Sequence, residues 1–315
     1  MRIFVTGATG VIGRRAVPLL VAAGHRVTAV ARSAEKSAAL RRAGADALAV
    51  DLLDPPALRT AVVGHEALVN LATHIPASTW RMFLPGAWRE NDRLRRTASA
   101  YLVDAALAAG VGRFIQESFA LTYPDCGDRW IDERAPIQPT RYNRTVANAE
   151  ASARRFAEGG GAGIILRFAG FYGPDSFQSR DMIKLARKGW SPLLGSSEAF
   201  FSSITHDDAA RAVVAALDVP AGAYNVTDDE PLRRREYASA LAAALGVPPL
   251  RSLPAWVARL GGSLNELLSR SQRISNRALR DASGWEPTYP SAREGWREIV
   301  RATRDQRLGR ISQLN

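Results

Sequence analysis

The chain opens Met1-Arg2-Ile3-Phe4-Val5-Thr6-Gly7-Ala8-Thr9-Gly10-Val11-Ile12-Gly13-Arg14-Arg15. The β-rich run Arg2–Thr6 reads as a strand, and the glycines at 7, 10 and 13 lead into a helix. Each glycine has a separate physical task. The first permits a tight strand-to-helix turn, the second lets a ligand approach the backbone, and the third lets helix and strand pack closely. A helix N-terminus presents free N–H groups and the positive end of the backbone dipole, so phosphate is expected there. The spacing therefore predicts a dinucleotide-binding βαβ unit, with Gly7, Thr9, Gly10, Val11, Ile12 and Gly13 around a pyrophosphate. The alternative is a packing turn that binds nothing.

The second strand decides between the two common dinucleotides. An NAD(H) site places an acidic residue at the strand tip to accept from the ribose hydroxyls. This chain reads Val30-Ala31-Arg32-Ser33-Ala34-Glu35-Lys36, with no acid at the tip. Arg32 can pair with a 2′-phosphate, Ser33 can donate to it, and Lys36 lies within one helical turn. The expected cofactor is NADP(H) rather than NAD(H); Arg32 as a plain surface arginine is the other reading. Asp51 and Leu52, after the third strand, are placed for the adenine, and Asp51 as a cap of the next helix is equally open.

Further along, short β-branched runs alternate with Ala/Leu/Arg stretches at helical spacing, the pattern of a parallel sheet with crossover helices. Strands are expected at Arg2–Thr6, Arg26–Ala31, Ala47–Val50, Ala67–Leu71, Arg113–Glu117 and Gly163–Phe168. Helices are expected at Gly13–Ala23, Ala34–Ala43, Pro56–Val63, Asn91–Ala109 and Tyr142–Glu158, with Gly24, Gly44 and Gly110 as left-handed caps. The fold class is α/β, a Rossmann doubly wound parallel sheet with a smaller, partly interleaved C-terminal substrate lobe. The rhythm breaks after Phe168. Residues 1–168 plus about 204–220 are assigned to the Rossmann domain. About 169–203 and 221–315 are assigned to the lobe, with a helix at Asp207–Leu217 and a short strand at Gly222–Val226.

Composition narrows the function class. The 315 residues are 46% hydrophobic and 23% charged, ordinary for a globular protein. The single cysteine, Cys126, excludes an internal disulfide and a cysteine-built metal cluster, and no metal is expected. The net charge of +11 resembles a nucleic-acid footprint. Yet Lys36, Lys184 and Lys188 are the only lysines, and the arginines are scattered, with no basic arm or DNA-binding motif. No nucleic-acid partner is expected. With no apolar run of transmembrane length and no signal-peptide pattern at the N-terminus, no membrane partner is expected and the location reads as cytoplasmic. The expected partner is a small-molecule substrate; a homodimer is left open.

The chain resembles the short-chain dehydrogenase/reductase superfamily in its extended and atypical branches, the NAD-dependent epimerase/dehydratase family. The residues carrying this are Thr6–Gly13, Asn70-Leu71-Ala72, Arg113-Phe114-Ile115-Gln116-Glu117-Ser118, Leu166 to Pro174, Ile204 to Ala210 and Gly222 to Val226. The resemblance implies cofactor contacts at Leu71, Ala72 and Thr73. It also implies a catalytic serine, a Tyr-x-x-x-Lys pair and a helical asparagine. In that scheme tyrosine moves a proton as hydride moves at the nicotinamide, and lysine lowers the tyrosine pKa from about 10.

Ser118 fits the serine position, with a strand-end serine bonded to backbone as the even alternative. Asn91 is similar to the helical asparagine, or is a helix cap. Tyr142 stands where the catalytic tyrosine belongs, but Val146 occupies the lysine position. Without lysine a tyrosine can donate a proton but is a poor base at neutral pH. Tyr123 is a second candidate acid, or an aromatic lining the pocket. Arg167 and His206 are read as structural, and Trp190, Phe200, Phe201 and Trp256 as pocket lining or core. The expected activity is NADP(H)-dependent hydride transfer on a small organic carbonyl or hydroxyl compound, of oxidoreductase or epimerase type. The alternatives are a non-catalytic NADP(H)-binding sensor or scaffold, and a non-redox enzyme on the same fold.

Overall fold

The computed structural model describes residues 1–312 apart from 77, 83, 142 and 253–261. Tyr142 and Trp256 lie outside the described residues.

The Rossmann half is laid down in order. Strand β1 (Arg2–Thr6) leads to α1 (Gly13–Ala22), β2 (Arg26–Val30), α2 (Ala34–Arg42), β3 (Asp46–Leu48), α3 (Pro55–Ala61) and β4 (Ala67–Asn70). Next comes α4, built from Arg89–Arg93, a π-helical stretch Leu94–Ala98 and Ser99–Ala108. Strand β5 (Arg113–Phe119), α5 (Val146–Glu158) and β6 (Ala162–Phe168) complete the run. Ser33 and Asp54 cap α2 and α3 by accepting from Lys36 N and Ala57 N. Gly24, Gly44 and Gly110 take the left-handed conformation expected of them.

After β6 the chain crosses into the lobe. Gly170–Tyr172 pairs in parallel with Ser203–Thr205, and α6 (Phe177–Arg187) lies between them in sequence. Helix α7 (His206–Ala215) then returns to pack on α1. Gly222–Val226 follows as β7, hydrogen-bonded in parallel to β6. The central sheet therefore has seven strands, in the order β7-β6-β5-β4-β1-β2-β3. This moves Gly222–Val226 out of the lobe, where the sequence reading had placed it. The reason is its apolar face: Tyr224 and Val226 bury in the same cluster as Leu166 and Phe168. The lobe resumes with α8 (Arg234–Leu245) and closes with α9 (Ala292–Ser312).

Burial explains why these strands read as continuous apolar runs. Ile3, Phe4 and Val5 are all fully buried because both faces of the sheet are covered. One apolar cluster fills the side of α1 and α7, including Ile3, Val5, Ala16, Leu20 and Val213. Another, with Phe4, Leu68, Val103, Phe114 and Phe156, fills the side of α3, α4 and α5. The lobe has its own core around Trp296, whose ring lies 5.2 Å from Tyr172 and 6.2 Å from Tyr237. Among the described residues no helix is long and apolar enough to cross a membrane.

Candidate functional site

Strand order locates the crevice. From β1 the chain goes first to β2 on one side and later to β4 on the other, so the topological switch lies at the C-terminal end of β1. Doubly wound folds bind ligands there. The glycine turn occupies that point. Gly7 has φ +66°, and a Cβ on it would sit 2.2 Å from the Leu71 carbonyl oxygen. A Cβ on Gly13 would sit 2.2 Å from the Gly7 carbonyl oxygen, whereas Gly10 is exposed and meets only that same oxygen at 3.2 Å. Two glycines are thus required by packing and the middle one leaves the surface open. Gly10 N donates to Gly7 O, and Arg14 N donates to Gly10 O. The N–H groups of Val11, Ile12 and Gly13 have no backbone acceptor among the described residues. This donor set, at the N-terminus of a ten-residue helix, fits a pyrophosphate.

On the β2 side, Arg32, Ser33 and Lys36 are all exposed just past the strand. The Ser33 hydroxyl oxygen accepts from Lys36 N at 3.3 Å as the cap of α2, and keeps its proton for a ligand. Arg32 has no ion pair among the described residues. Asp51 is exposed and accepts from Leu53 N at 2.9 Å. Asp54, not Asp51, caps α3, so the capping alternative for Asp51 falls away.

On the β4 side, a buried polar chain ties three strand ends together. Thr6 Oγ1 donates to Asn70 Oδ1 at 2.6 Å, and Asn70 Nδ2 donates to Gln116 Oε1 at 2.9 Å. Asn70 Oδ1 also accepts from Ala72 N, which shapes the Leu71-Ala72-Thr73 segment beside Gly7. Asn91 does not head its helix. It lies inside α4, 1% exposed, and its Oδ1 accepts from His74 N at 2.9 Å, steadying the same loop.

The residues expected to move protons are deeply engaged. Ser118 is fully buried and donates to Glu150 Oε1 at 2.7 Å. Glu150, also fully buried, receives Arg167 through Nε and Nη2, both at 2.8 Å. Burial pushes the Glu150 carboxyl up, but the Arg167 hydrogen bonds and charge, with Ser118 and Arg154, hold it below the usual carboxylate range. Tyr123 is fully buried too. Its hydroxyl donates to Asn225 Oδ1 at 2.9 Å and accepts from Arg167 Nη1 at 2.6 Å. Burial pushes that hydroxyl up to about 12 against the Arg167 charge. Val146, in the lysine position, is fully buried as the first residue of α5. Ser118 and Tyr123 thus belong to one network centred on Arg167 and Glu150, and neither is presented to the open end of the sheet. The β5–β6 register sets Ser118 beside Arg167, which accounts for its place in this network.

Reading along the sequence alone misses Glu150, whose partner Arg167 is on a different element. It also misses the buried pair Arg95–Glu117, 3.0 Å apart, and the contacts of Arg14 and Arg15 with Asp175. His206 is 1% exposed, and burial, helped by the Arg15 charge, pulls its imidazole down to about 3, so it stays neutral. Its helix is capped by Thr205, which accepts from Asp208 N. In the lobe, Phe200 is buried, with the guanidiniums of Arg233 and Arg273 4.5 and 4.9 Å from its ring centre, while Trp190 and Phe201 are half-buried.

Known proteins agree with this architecture. The family model described as NAD dependent epimerase/dehydratase family matches residues 3–227. A Streptomyces protein named 3-diazoavenalumate denitrifying reductase is 35% identical over 304 residues, spanning 94% of this chain and 99% of the relative. A 2-alkyl-3-oxoalkanoate reductase of Shewanella oneidensis is 24% identical over 85% of this chain and 72% of its own. Among solved structures, human epimerase family protein SDR39U1 with NADPH superposes with a TM-score of 0.80 at 23% identity, covering 96% and 99% of the two chains. The dTDP-glucose 4,6-dehydratase of Streptomyces venezuelae, with NAD bound, gives 0.76 at 22% identity over 98% of each chain. Switch-point turn, strand order and matched length converge, and the chain belongs to the NAD dependent epimerase/dehydratase family.

Proposed function

We propose that this protein is an NADP(H)-dependent reductase whose substrate is a small organic molecule held between the sheet edge and the lobe. The leading substrate class is a diazo-bearing arene rather than a ketone. The carrying observation is the state of the proton-relay positions. Ser118 and Tyr123 are buried and bonded inward, and Val146 replaces the lysine. Reducing a carbonyl requires a proton at the new alkoxide; with Ser118 and Tyr123 bonded inward, such chemistry would depend on Tyr142 alone. Replacing a diazonium group by hydride expels dinitrogen and requires no proton. The name of the Streptomyces relative, a denitrifying reductase of a diazo compound, fits that chemistry.

The dinucleotide, when bound, supplies the hydride. Around it the chain does the holding. The N–H groups of Val11, Ile12 and Gly13 would take the pyrophosphate, and Arg32, Ser33 and Lys36 the 2′-phosphate. Asp51 and Leu52 would flank the adenine, and Leu71, Ala72 and Thr73 the other half. A pyrophosphate at β1 with adenosine toward β2 directs that other half toward β4 and β5.

The test follows NADPH oxidation and dinitrogen release together. Purified protein given 3-diazoavenalumate is expected to consume NADPH with one dinitrogen released per turnover, and Tyr142→Phe is expected to leave this rate intact. Reduction of a carbonyl panel that depends on Tyr142 would replace the diazo reading with ordinary carbonyl chemistry. Firm NADPH binding without any turnover would favour the sensor. Replacing Arg32 by Ala should weaken NADPH about tenfold or more and leave NADH unchanged.

A further inference from the structure

The first turn of α1 holds Arg14 and Arg15 and no acidic residue. Backbone dipoles make that end of a helix positive, so two adjacent cations there go against the local preference. Local rules are broken mostly where function or tertiary structure requires it. Here the surrounding structure supplies the compensation. Arg15 Nε donates to Asp207 Oδ1 at 2.6 Å, and Nη2 donates to Asp175 Oδ2 at 2.9 Å. Its third nitrogen, Nη1, donates to the Val11 carbonyl at 2.9 Å. Asp175 belongs to the lobe, just past Tyr172-Gly173-Pro174, and Arg14 shares it. His206 Nδ1 stands 3.3 Å from the other Asp175 oxygen, and with the imidazole neutral the carboxylate charge is left to the arginines.

The contact with Val11 has a geometric consequence. A trans peptide is planar, and its C=O and N–H point in opposite directions. Holding the Val11 carbonyl toward Arg15 therefore aims the Ile12 N–H the other way, among the free donors of the turn. We infer that Arg15 is a positioning residue for a pyrophosphate, locking the Val11–Ile12 peptide, with Asp175 and Asp207 as its anchors. The arrangement ties occupancy of the dinucleotide turn to the seating of the lobe, because one guanidinium contacts both. This inference rests on the reading of the turn as a dinucleotide site.

Binding measurements test it without turnover. Two probes are titrated by calorimetry: NADPH, and adenosine 2′-monophosphate, which carries the phosphate for Arg32 but no pyrophosphate. Arg15→Met should weaken NADPH about tenfold or more and leave adenosine 2′-monophosphate unchanged. Arg15→Lys should remain weakened, because one ammonium cannot span three acceptors in that fork. Asp175→Asn should shift NADPH in the same direction by less, and carries the test alone if the Arg15 variants do not fold. Unchanged NADPH affinity, equal losses for both probes, or full rescue by lysine would each overturn the positioning role. If the unsubstituted protein binds NADH in place of NADPH, the 2′-phosphate reading fails and the clamp is tested on NADH against adenosine. A protein that binds neither dinucleotide overturns both.

Discussion

Arg167→Met should be among the most damaging single changes in the Rossmann half. The guanidinium lies 5% exposed and makes two bonds to Glu150, at 2.8 Å each, one to Tyr123 at 2.6 Å and one to the Glu133 carbonyl at 3.3 Å. Methionine preserves most of the apolar stem and removes all four. Glu150 would retain Ser118 and Arg154, but Arg154 is half exposed, so water screens its help. Removing one member of a buried ion pair costs about 3–5 kcal/mol, and about 4 kcal/mol is expected here. Urea unfolding followed by tryptophan fluorescence measures it as a lower midpoint at unchanged slope.

The pH dependence adds an independent check. In the native protein the Glu150 carboxyl is held below its ordinary 4.5, so its pairing stabilises above that value and is lost as pH falls through the native one. Without Arg167, burial dominates and the carboxyl takes a proton more readily. The gap between variant and parent should therefore narrow on acidification below pH 5 or so, roughly one unit above the carboxylate range. Adding Glu150→Gln to Arg167→Met should cost much less than the sum of the two single changes, since no unpaired charge remains. A loss under about 1 kcal/mol at neutral pH, or a gap that ignores pH, would refute the account of the network.

Two other expectations come from single side chains. Gly7→Ala must place a Cβ 2.2 Å from the Leu71 carbonyl oxygen at positive φ. The left-handed conformation and the displaced loop together should cost about 3 kcal/mol and abolish NADPH binding, read by unfolding and by titration. Asp228 is 2% exposed, and burial holds its carboxyl well above the usual range despite bonds from Ser203 and Thr227. Its raised native value means that the stability it allows is lost as pH rises. Asp228→Asn should melt higher than the parent at neutral pH and above, with a difference that grows with pH; a difference that shrinks would sink the assignment.

The β1–turn–α1 unit is legible along the chain because its cause is local. Glycine spacing, a β-branched strand and the first apolar turn of a helix all fall within fifteen consecutive residues, and the structure reproduces Arg2–Thr6 without change. Strand and helix alternation is legible for the same reason, through apolar periodicity. The broken Tyr142/Val146 pattern is equally visible, since it is a matter of spacing along the sequence; the helix expected from Tyr142 begins at Val146 in the structure. The ends of elements were less so. The helix expected from Asn91, with a cap as one of two readings of that residue, starts instead at Arg89, and the Asn91 side chain serves the loop at His74.

Partnership between distant side chains is a property of the folded state. Ser118 and Tyr123 carry the chemistry of proton donors in any sequence reading. Only the β5–β6 register, which sets Ser118 opposite Arg167, and the packing of α5, which brings Glu150 over both, turn them inward. Gly222–Val226 shows the same limit: its strand character is local, but its place beside β6 depends on a lobe that leaves the sheet and returns. Arg15 differs from the chain's many other arginines only because Asp175 and Asp207 arrive from segments some 160 and 190 residues away, as the paired separations show. The sequence by itself determined a dinucleotide turn at the end of β1, since spacing within one turn and one helix suffices for it. Tertiary structure alone decided which polar groups remain free to face a ligand, because that depends on contacts whose partners have no fixed separation along the chain.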